Sequence, residues 1–418
     1  MKKRIALIAL ALIFSVALVA ACSDGPEERT EVEFWYLWGG EEAEVLEALI
    51  ARFNESQEEY TVIGSSIPDV QRILVSISAG DGPDIAGNFS ENVASYSDMG
   101  MIAPLDEYMT RDGFTFDDFA PGIVPAMQYG GQTMALPINL TTFMMYVNTD
   151  LLDAAGVSVP RTSEEMLDVA KKTTQVAADG SIEVLGYPDF PSVYFLDNMT
   201  FAKGGRFVDA AGNYTPDNPG TIAALTSFAA YRSEFGVDPI LAFTSSARYM
   251  DTLADPFMTG HQALRIDGPW FSGALEEHAG FNYVAVPLPF PTANPGYEKG
   301  GKVSSSIFFI PSNANNKDGA WAFLNWLHQV PQMVEFCAGM GNIPSRISAW
   351  TNPAFSDQAD FAAYTAYLSS PNLQPMPVTP TMTEFMGILA DFAEMAMMLQ
   401  MSPEEAMSAA AAEAANIR

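Results

Sequence analysis

Positive charge, histidine and cysteine are scarce in this chain of 418 residues. Lysine and arginine number 20 against 51 aspartates and glutamates, a formal net charge of −31. A surface of that sign repels a phosphate backbone, so nucleic acid is excluded as a partner. The three histidines, His261, His278 and His328, are widely separated and lack the i, i+4 pairing of a helical zinc site. There is no G-x-S-x-G nucleophile elbow, no P-loop and no well-placed G-x-G-x-x-G, and Gly300-Gly301 is too short for a phosphate cradle. No metal and no cofactor is therefore expected, and the chain reads as a binder and not an enzyme. Paired carboxylates for glycoside hydrolysis stay open, because such a pair need only meet in space.

What is plentiful is apolar. Hydrophobic residues make up 48% and charged ones only 17%, which fits a folded body with a large core, and the length suits two domains. Lys2, Lys3 and Arg4 precede an apolar run from Ile5 to Ala21. A basic start, a short apolar run and small residues before the cut make this a secretory signal over residues 1–21, too short and wrongly flanked for a spanning helix. Val19-Ala20-Ala21-Cys22 resembles the lipobox of bacterial lipoproteins, which implies acylation of Cys22 and a membrane contact through lipid. Cleavage there removes three positive charges and no negative ones. Residues 22–30 form a polar tether. With Cys22 lipidated, Cys337 has no disulfide partner and is expected as a small buried hydrophobe.

From residue 31 the text is structured. Val32–Leu37 reads as a strand ending at Gly39-Gly40. Val45, Leu46, Leu49, Ile50 and Phe53 then share one helical face behind Glu41, Glu42 and Glu44, where acids suit the helix dipole. Tyr60–Ile63 gives a second strand. This βαβ opening continues with a helix near Val70–Ala79 and a short strand at Ile85, arguing an α/β domain with a mainly parallel sheet. Thr162 with Glu165, and Ser402 with Glu405, each spell a capping box. Phe385, Ile388, Leu389, Phe392 and Leu399 make a late apolar stripe, with methionines as filler. No solenoid repeat and no long linker is present. Aromatic residues gather beside turns: Trp35, Tyr36 and Trp38; Phe190 and Tyr194; Trp270 after Gly268-Pro269. In an open α/β sheet ligands bind beyond the carboxyl ends of strands, which points to the Trp38–Glu42 segment, and aromatic faces can stack on a pyranose. Trp35 is expected in the core.

A set of short motifs, each weak alone, then occurs in a fixed order. It runs from Phe34-Trp35 and Trp38 through Ala51–Glu55, Gly82-Pro83-Asp84-Ile85, Leu136-Pro137 and Met145–Leu152 to Phe257–Leu264 with Gly268-Pro269-Trp270. It ends with Val286–Pro289, Gly300-Gly301, Ile310-Pro311, Ala320–Leu324 and Gly341–Arg346. The ordered set resembles the solute-binding proteins of ATP-binding-cassette sugar importers, of the maltodextrin and oligosaccharide type. That resemblance implies a two-lobed, type II-like periplasmic-binding-protein fold with a ligand cleft between lobes joined by hinges. One lobe would take residues 31–137 and 271–311, the other 138–270 and 312–418, with crossovers near Pro137, Trp270 and Pro311. It implies capture of a mono- or oligosaccharide by hinge closure and delivery to transmembrane permease subunits, by a monomer anchored in the periplasm or on the cell surface. Around the cleft, Trp38 and Trp270 would stack; Glu42, Asn88, Asn139 and Arg346 would hydrogen-bond; Gly301 would let the backbone approach; Asp84 would shape its strand end. The alternatives are another solute (a polyol, glycerol phosphate or a peptide), a surface-anchored glycosidase, or a sensor subunit.

Overall fold

The computed structural model describes residues 29–189, 195–247, 254–356 and 360–417. The signal segment, Cys22, Phe190 and Tyr194 lie outside the described residues. The opening forms as the periodicity predicts: β1 (Thr30–Tyr36), a helix over Gly40–Ser56, β2 (Tyr60–Ser66), a helix over Val70–Ala79 and β3 (Ile85–Phe89). The chain continues through β4 (Leu136–Pro137), β5 (Met144–Asn148), β6 (Leu264–Asp267), β7 (Tyr283–Val286) and β8 (Ser306–Phe309). The main sheet runs β2-β1-β3-β8-β4. β1 is parallel to β2 and β3, while β8 opposes both its neighbours, so four of the five strands point one way. Both capping boxes close, at Thr162–Glu165 and Ser402–Glu405. Among the described residues no helix is long and apolar enough to cross a membrane.

Two hydrophobic cores form. The three-stranded antiparallel sheet β6-β5-β7 is the wall between them, and β5 shows how. Its side chains alternate with period two: Met144 and Tyr146 enter the first core, Met145 and Val147 the second. A strand buried on both faces must be apolar throughout, and this one is, as far as Asn148.

The lobe boundaries need correcting. Residues 312–373 were expected in the second lobe, yet Trp321, Phe323, Leu327, Phe336, Tyr364 and Leu373 are buried in the first core. The cause is aromatic packing: Phe323 meets Phe34 of β1 with ring centroids 5.5 Å apart, and Phe336 meets Trp38 at 5.2 Å. The last crossover therefore falls between Leu373 and Met376, not near Pro311. Trp35 is also corrected. Alternation along β1 sends Val32, Phe34 and Tyr36 inward and leaves Trp35 half-buried on the other face. Leu399 falls off the late stripe, because the helix ends at Met397 and Leu399 is 42% exposed. Cys337 is fully buried, its Sγ 3.6 Å from the Ile138 carbonyl.

Candidate functional site

The strand-end rule places the site. Two residues beyond β1, Trp38 packs edge-on against Phe308 and Phe336, and its carbonyl accepts from Ser66 Oγ at 2.6 Å. Glu42 follows in the first turn of the helix Gly40–Ser56, where burial raises its pKa above the ordinary carboxylate value. Just past β3 come Glu91 and Asn92. On the other side of the opening, Trp270 begins the helix Trp270–His278 and packs against both cores. Between these walls lies a cavity of about 480 Å³. Trp38, Glu42, Asn139 and Trp270, all expected at the cleft, line it together with Phe143, Lys302 and the serines 304–306. A second cavity of about 390 Å³ adjoins the first and shares Glu42 and Trp270 with it. Both volumes lie in the range of small-molecule sites.

A buried polar cluster holds the chain that leads into Trp270. Arg265 of β6 pairs with Asp267 at 2.6 Å and with Asp255 at 3.0 Å, all three side chains being nearly inaccessible. Asp267 Oδ1 accepts from Gly268 N at 2.8 Å, and the Gly268 carbonyl accepts from Tyr146 Oη at 3.0 Å. The indole folds back over Gly268 so closely that a Cβ there would sit 2.3 Å from its ring. Glycine in Gly268-Pro269-Trp270 is thus a steric requirement of the tryptophan's pose. Phe143 meets the indole edge-on at 5.8 Å. Asn139 is held in the cavity wall by β8, its Oδ1 accepting from Ser306 N at 2.8 Å.

Lys302 is the cavity's cation and was not foreseen. Its Nζ lies 2.6 Å from Asp197 Oδ2 and 3.3 Å from Glu91 Oε1. Burial alone would lower the Lys302 pKa, but these two carboxylates outweigh it and hold the group above the usual lysine range. Asp197 belongs to the helix Leu196–Ala202, whose Leu196, Met199 and Phe201 are in the second core, whereas Glu91 follows β3 of the first, so Lys302 ties the two lobes together at the cavity.

Three expected residues stand elsewhere. Asn88 is wholly buried in β3, beneath the wall, its Oδ1 accepting from Asn92 Nδ2 at 2.7 Å; it positions Asn92, which does line the cavity. Gly301 is approached by protein, since a Cβ there would lie 2.5 Å from Tyr367 Oη, and Tyr367 donates to the Gly300 carbonyl. Arg346 is committed to the first core's edge. Its Nε donates to the His328 carbonyl at 2.7 Å, its guanidinium lies 4.4 Å from the Phe119 ring centroid, and Asp118 is 3.4 Å away. Asp84 does brace its strand end, accepting from Glu33 N at 3.1 Å and Asn316 N at 2.7 Å. The strand-end rule applied to β3 as well as β1 would have found Glu91 and Asn92. Lys302 carries no such signal, because its partners lie 211 and 105 positions away in the chain.

The chain is similar to several known proteins. The maltotriose-binding protein of Pyrococcus abyssi is 26% identical over 330 residues, 78% of this chain and 67% of its own. The sn-glycerol-3-phosphate-binding periplasmic protein UgpB of Brucella abortus is 26% identical over 377 residues, 84% of this chain and 82% of its own. Among solved structures, CpMnBP1 with mannobiose bound superposes with a TM-score of 0.82 at 21% identity, covering 93% of this chain and 100% of that one. The GacH receptor of Streptomyces glaucescens gives 0.76 at 19% identity, covering 93% and 98%. These superpositions establish the two-lobed fold. The sequence match to a single family extends over residues 48–363, and the chain belongs to the bacterial extracellular solute-binding proteins.

Proposed function

We infer that this solute-binding protein captures a mono- or oligosaccharide between its lobes by hinge closure and delivers it to the permease of an ATP-binding-cassette importer. In this reading it acts as a monomer tethered by lipid on Cys22, in the periplasm or on the cell surface, and performs no chemistry on its ligand. The observation that carries the reading is the cavity lining: two indoles, Trp38 and Trp270, beside the amides of Asn92, Asn139 and Asn342 and the hydroxyls of Ser304 and Ser305. Flat apolar faces flanked by hydrogen-bonding groups, these amides and hydroxyls together with Glu42, Glu91 and Lys302, suit a sugar ring, whose C–H faces stack while its hydroxyls are satisfied at the rim. Asn342 Oδ1 is a buried acceptor without a partner among the described residues. A relative named for maltotriose, and a protein of the same fold with mannobiose bound, support the same class. The adjoining cavity beyond Trp270 gives room for more than one ring. Calorimetry with mannobiose, maltose and maltotriose tests the reading, and absence of saturable binding across a broad panel of saccharides removes it. Mass spectrometry of the membrane fraction before and after Cys22→Ala tests the anchor, and sedimentation tests the monomer.

The relative named for glycerol 3-phosphate raises a second reading. A phosphate ester needs an available cation, and Lys302 is already shared by two carboxylates, with Glu42 adding negative charge nearby. Calorimetry with glycerol 3-phosphate is expected to show no binding. Hydrolysis would need two working carboxylates, and of the pair at the cavity Glu91 is held by Lys302. Release of nitrophenol from aryl glycosides would revive the glycosidase reading.

A further inference from the structure

The second lobe carries a groove of about 550 Å³ that shares no residue with the cleft. One wall is the helix Pro219–Phe235, which turns Pro219, Ile222, Ala223, Thr226 and Ala230 toward it, the i, i+3, i+4, i+7 spacing of a single face. The hydroxyls beside that face spend their protons within the helix: Thr226 Oγ1 donates to the Ile222 carbonyl at 2.7 Å and Ser227 Oγ to the Ala223 carbonyl at 3.1 Å. The opposite wall is the start of the helix Ser163–Thr173, with Leu167, and Pro291 closes one end.

Into this apolar groove comes one cation. Lys203 is 6% exposed, and its Nζ donates to Ser163 Oγ, itself in the lining. An ammonium has three protons to give, and Ser163 takes one. Among the described residues Lys203 forms no ion pair. Glu164 borders the groove and acts on Lys203 through space without forming an ion pair, its Oε2 accepting from Thr292 N at 3.1 Å and Thr292 Oγ1 at 2.6 Å. A buried cation with no carboxylate in contact is costly, and an anion supplied from outside relieves that cost. Burial holds the Lys203 pKa down at about 8, with Glu164 pulling the other way, as expected of an amine short of a counter-ion.

We propose that this groove is a second ligand site, taking a small monocarboxylate with an apolar body, its carboxylate on Lys203 and its hydrocarbon along Ile222, Ala223 and Leu167. The groove presents a single cation beside Glu164, so it selects one negative charge and rejects a polyanion. It offers no aromatic face, so it is not a further sugar subsite. The site does not depend on what the cleft binds.

The test is calorimetry of the mature chain with octanoate, alongside methyl octanoate, which keeps the body but loses the charge, and acetate, which does the reverse. Octanoate should bind with 1:1 stoichiometry, and both comparison compounds should bind at least about tenfold more weakly. Lys203→Met keeps the stem and removes the charge; Ile222→Trp fills the groove from its outer wall and leaves Lys203 in place. Each should weaken octanoate binding about tenfold or more, whereas Trp270→Ala, in the cleft, should leave it unchanged. The proposal is overturned if octanoate does not saturate in the millimolar range, if both groove variants bind it like the parent, or if Trp270→Ala or added saccharide abolishes its binding.

Discussion

Lys302→Met is the perturbation whose consequences the structure defines most fully. Methionine keeps most of the aliphatic stem and removes the ammonium that bridges Asp197 at 2.6 Å and Glu91 at 3.3 Å. Removing one member of a buried ion pair usually costs about 3–5 kcal/mol, mostly the penalty of leaving the other charge stranded. Glu91 has a quarter of its side chain exposed and can turn toward water, whereas Asp197 is 9% exposed and cannot. The loss should therefore sit near the lower end, at about 3 kcal/mol, all of it through Asp197. At about 2 °C per kcal/mol for a large domain, the melting midpoint should fall by roughly 6 °C. Because the folded-state pKa of Lys302 is raised, its contribution is complete below the unfolded lysine value of about 10.4 and fades only above it. The gap between parent and variant should accordingly be constant from roughly pH 6 to 9. Urea unfolding followed by circular dichroism measures it, with Lys302→Met/Asp197→Asn as the control that removes the stranded charge and recovers most of the loss. A single variant as stable as the parent, or a double variant whose losses simply add, would refute the reasoning.

Three further outcomes follow from individual contacts. Gly268→Ala puts a methyl 2.3 Å from the Trp270 ring, so the indole must shift; saccharide affinity measured by calorimetry should fall about tenfold although residue 268 lines neither cavity, and an unchanged Kd would show that the pose of Trp270 does not matter. Arg346→Ala gives up the His328 carbonyl, Asp118 and the Phe119 face, and should cost about 2–3 kcal/mol in urea unfolding while leaving saccharide Kd untouched. His328 is fully buried between Phe114 and Phe308, and burial, with Arg346 a lesser cause, lowers its pKa to about 3. The unfolded chain binds that proton from about pH 6.5 downward and the folded one does not, so stability should drop by about 1.4 kcal/mol per pH unit below 6.5, a slope that His328→Phe should lack between roughly pH 6.5 and 5.

Local pattern carried the reading where side-chain spacing alone decides the element. The face formed by Leu46, Leu49, Ile50 and Phe53 is buried as spaced, and the two capping boxes are closed by residues three apart. The cleft positions of Trp38 and Glu42 followed from a rule about strand ends, not from any property of those residues. What failed required distant partners. Nothing near Arg346 in sequence announces Phe119 and Asp118, and nothing near Gly301 announces Tyr367. The lobe boundary failed for the same reason, because Phe323 and Phe336 choose the first core by meeting Phe34 and Trp38 nearly 300 residues earlier. Lys302 joins both failures in one residue: its role exists only once Asp197 and Glu91 arrive from the two lobes.

The central claim is that a saccharide is held between Trp38 and Trp270. One indole face offers roughly a third of the 150–250 Å² a tryptophan buries, about 70 Å², which at about 25 cal/mol per Å² is near 2 kcal/mol, or about thirtyfold in affinity. The decisive measurement is calorimetric titration of parent and Trp270→Ala with the tightest member of a mono-, di- and trisaccharide panel, with folding of both verified by unfolding. The account predicts saturable 1:1 binding to the parent and about thirtyfold weaker binding to the folded variant. Equal affinity in the two, or a parent that binds no saccharide at all, would contradict it.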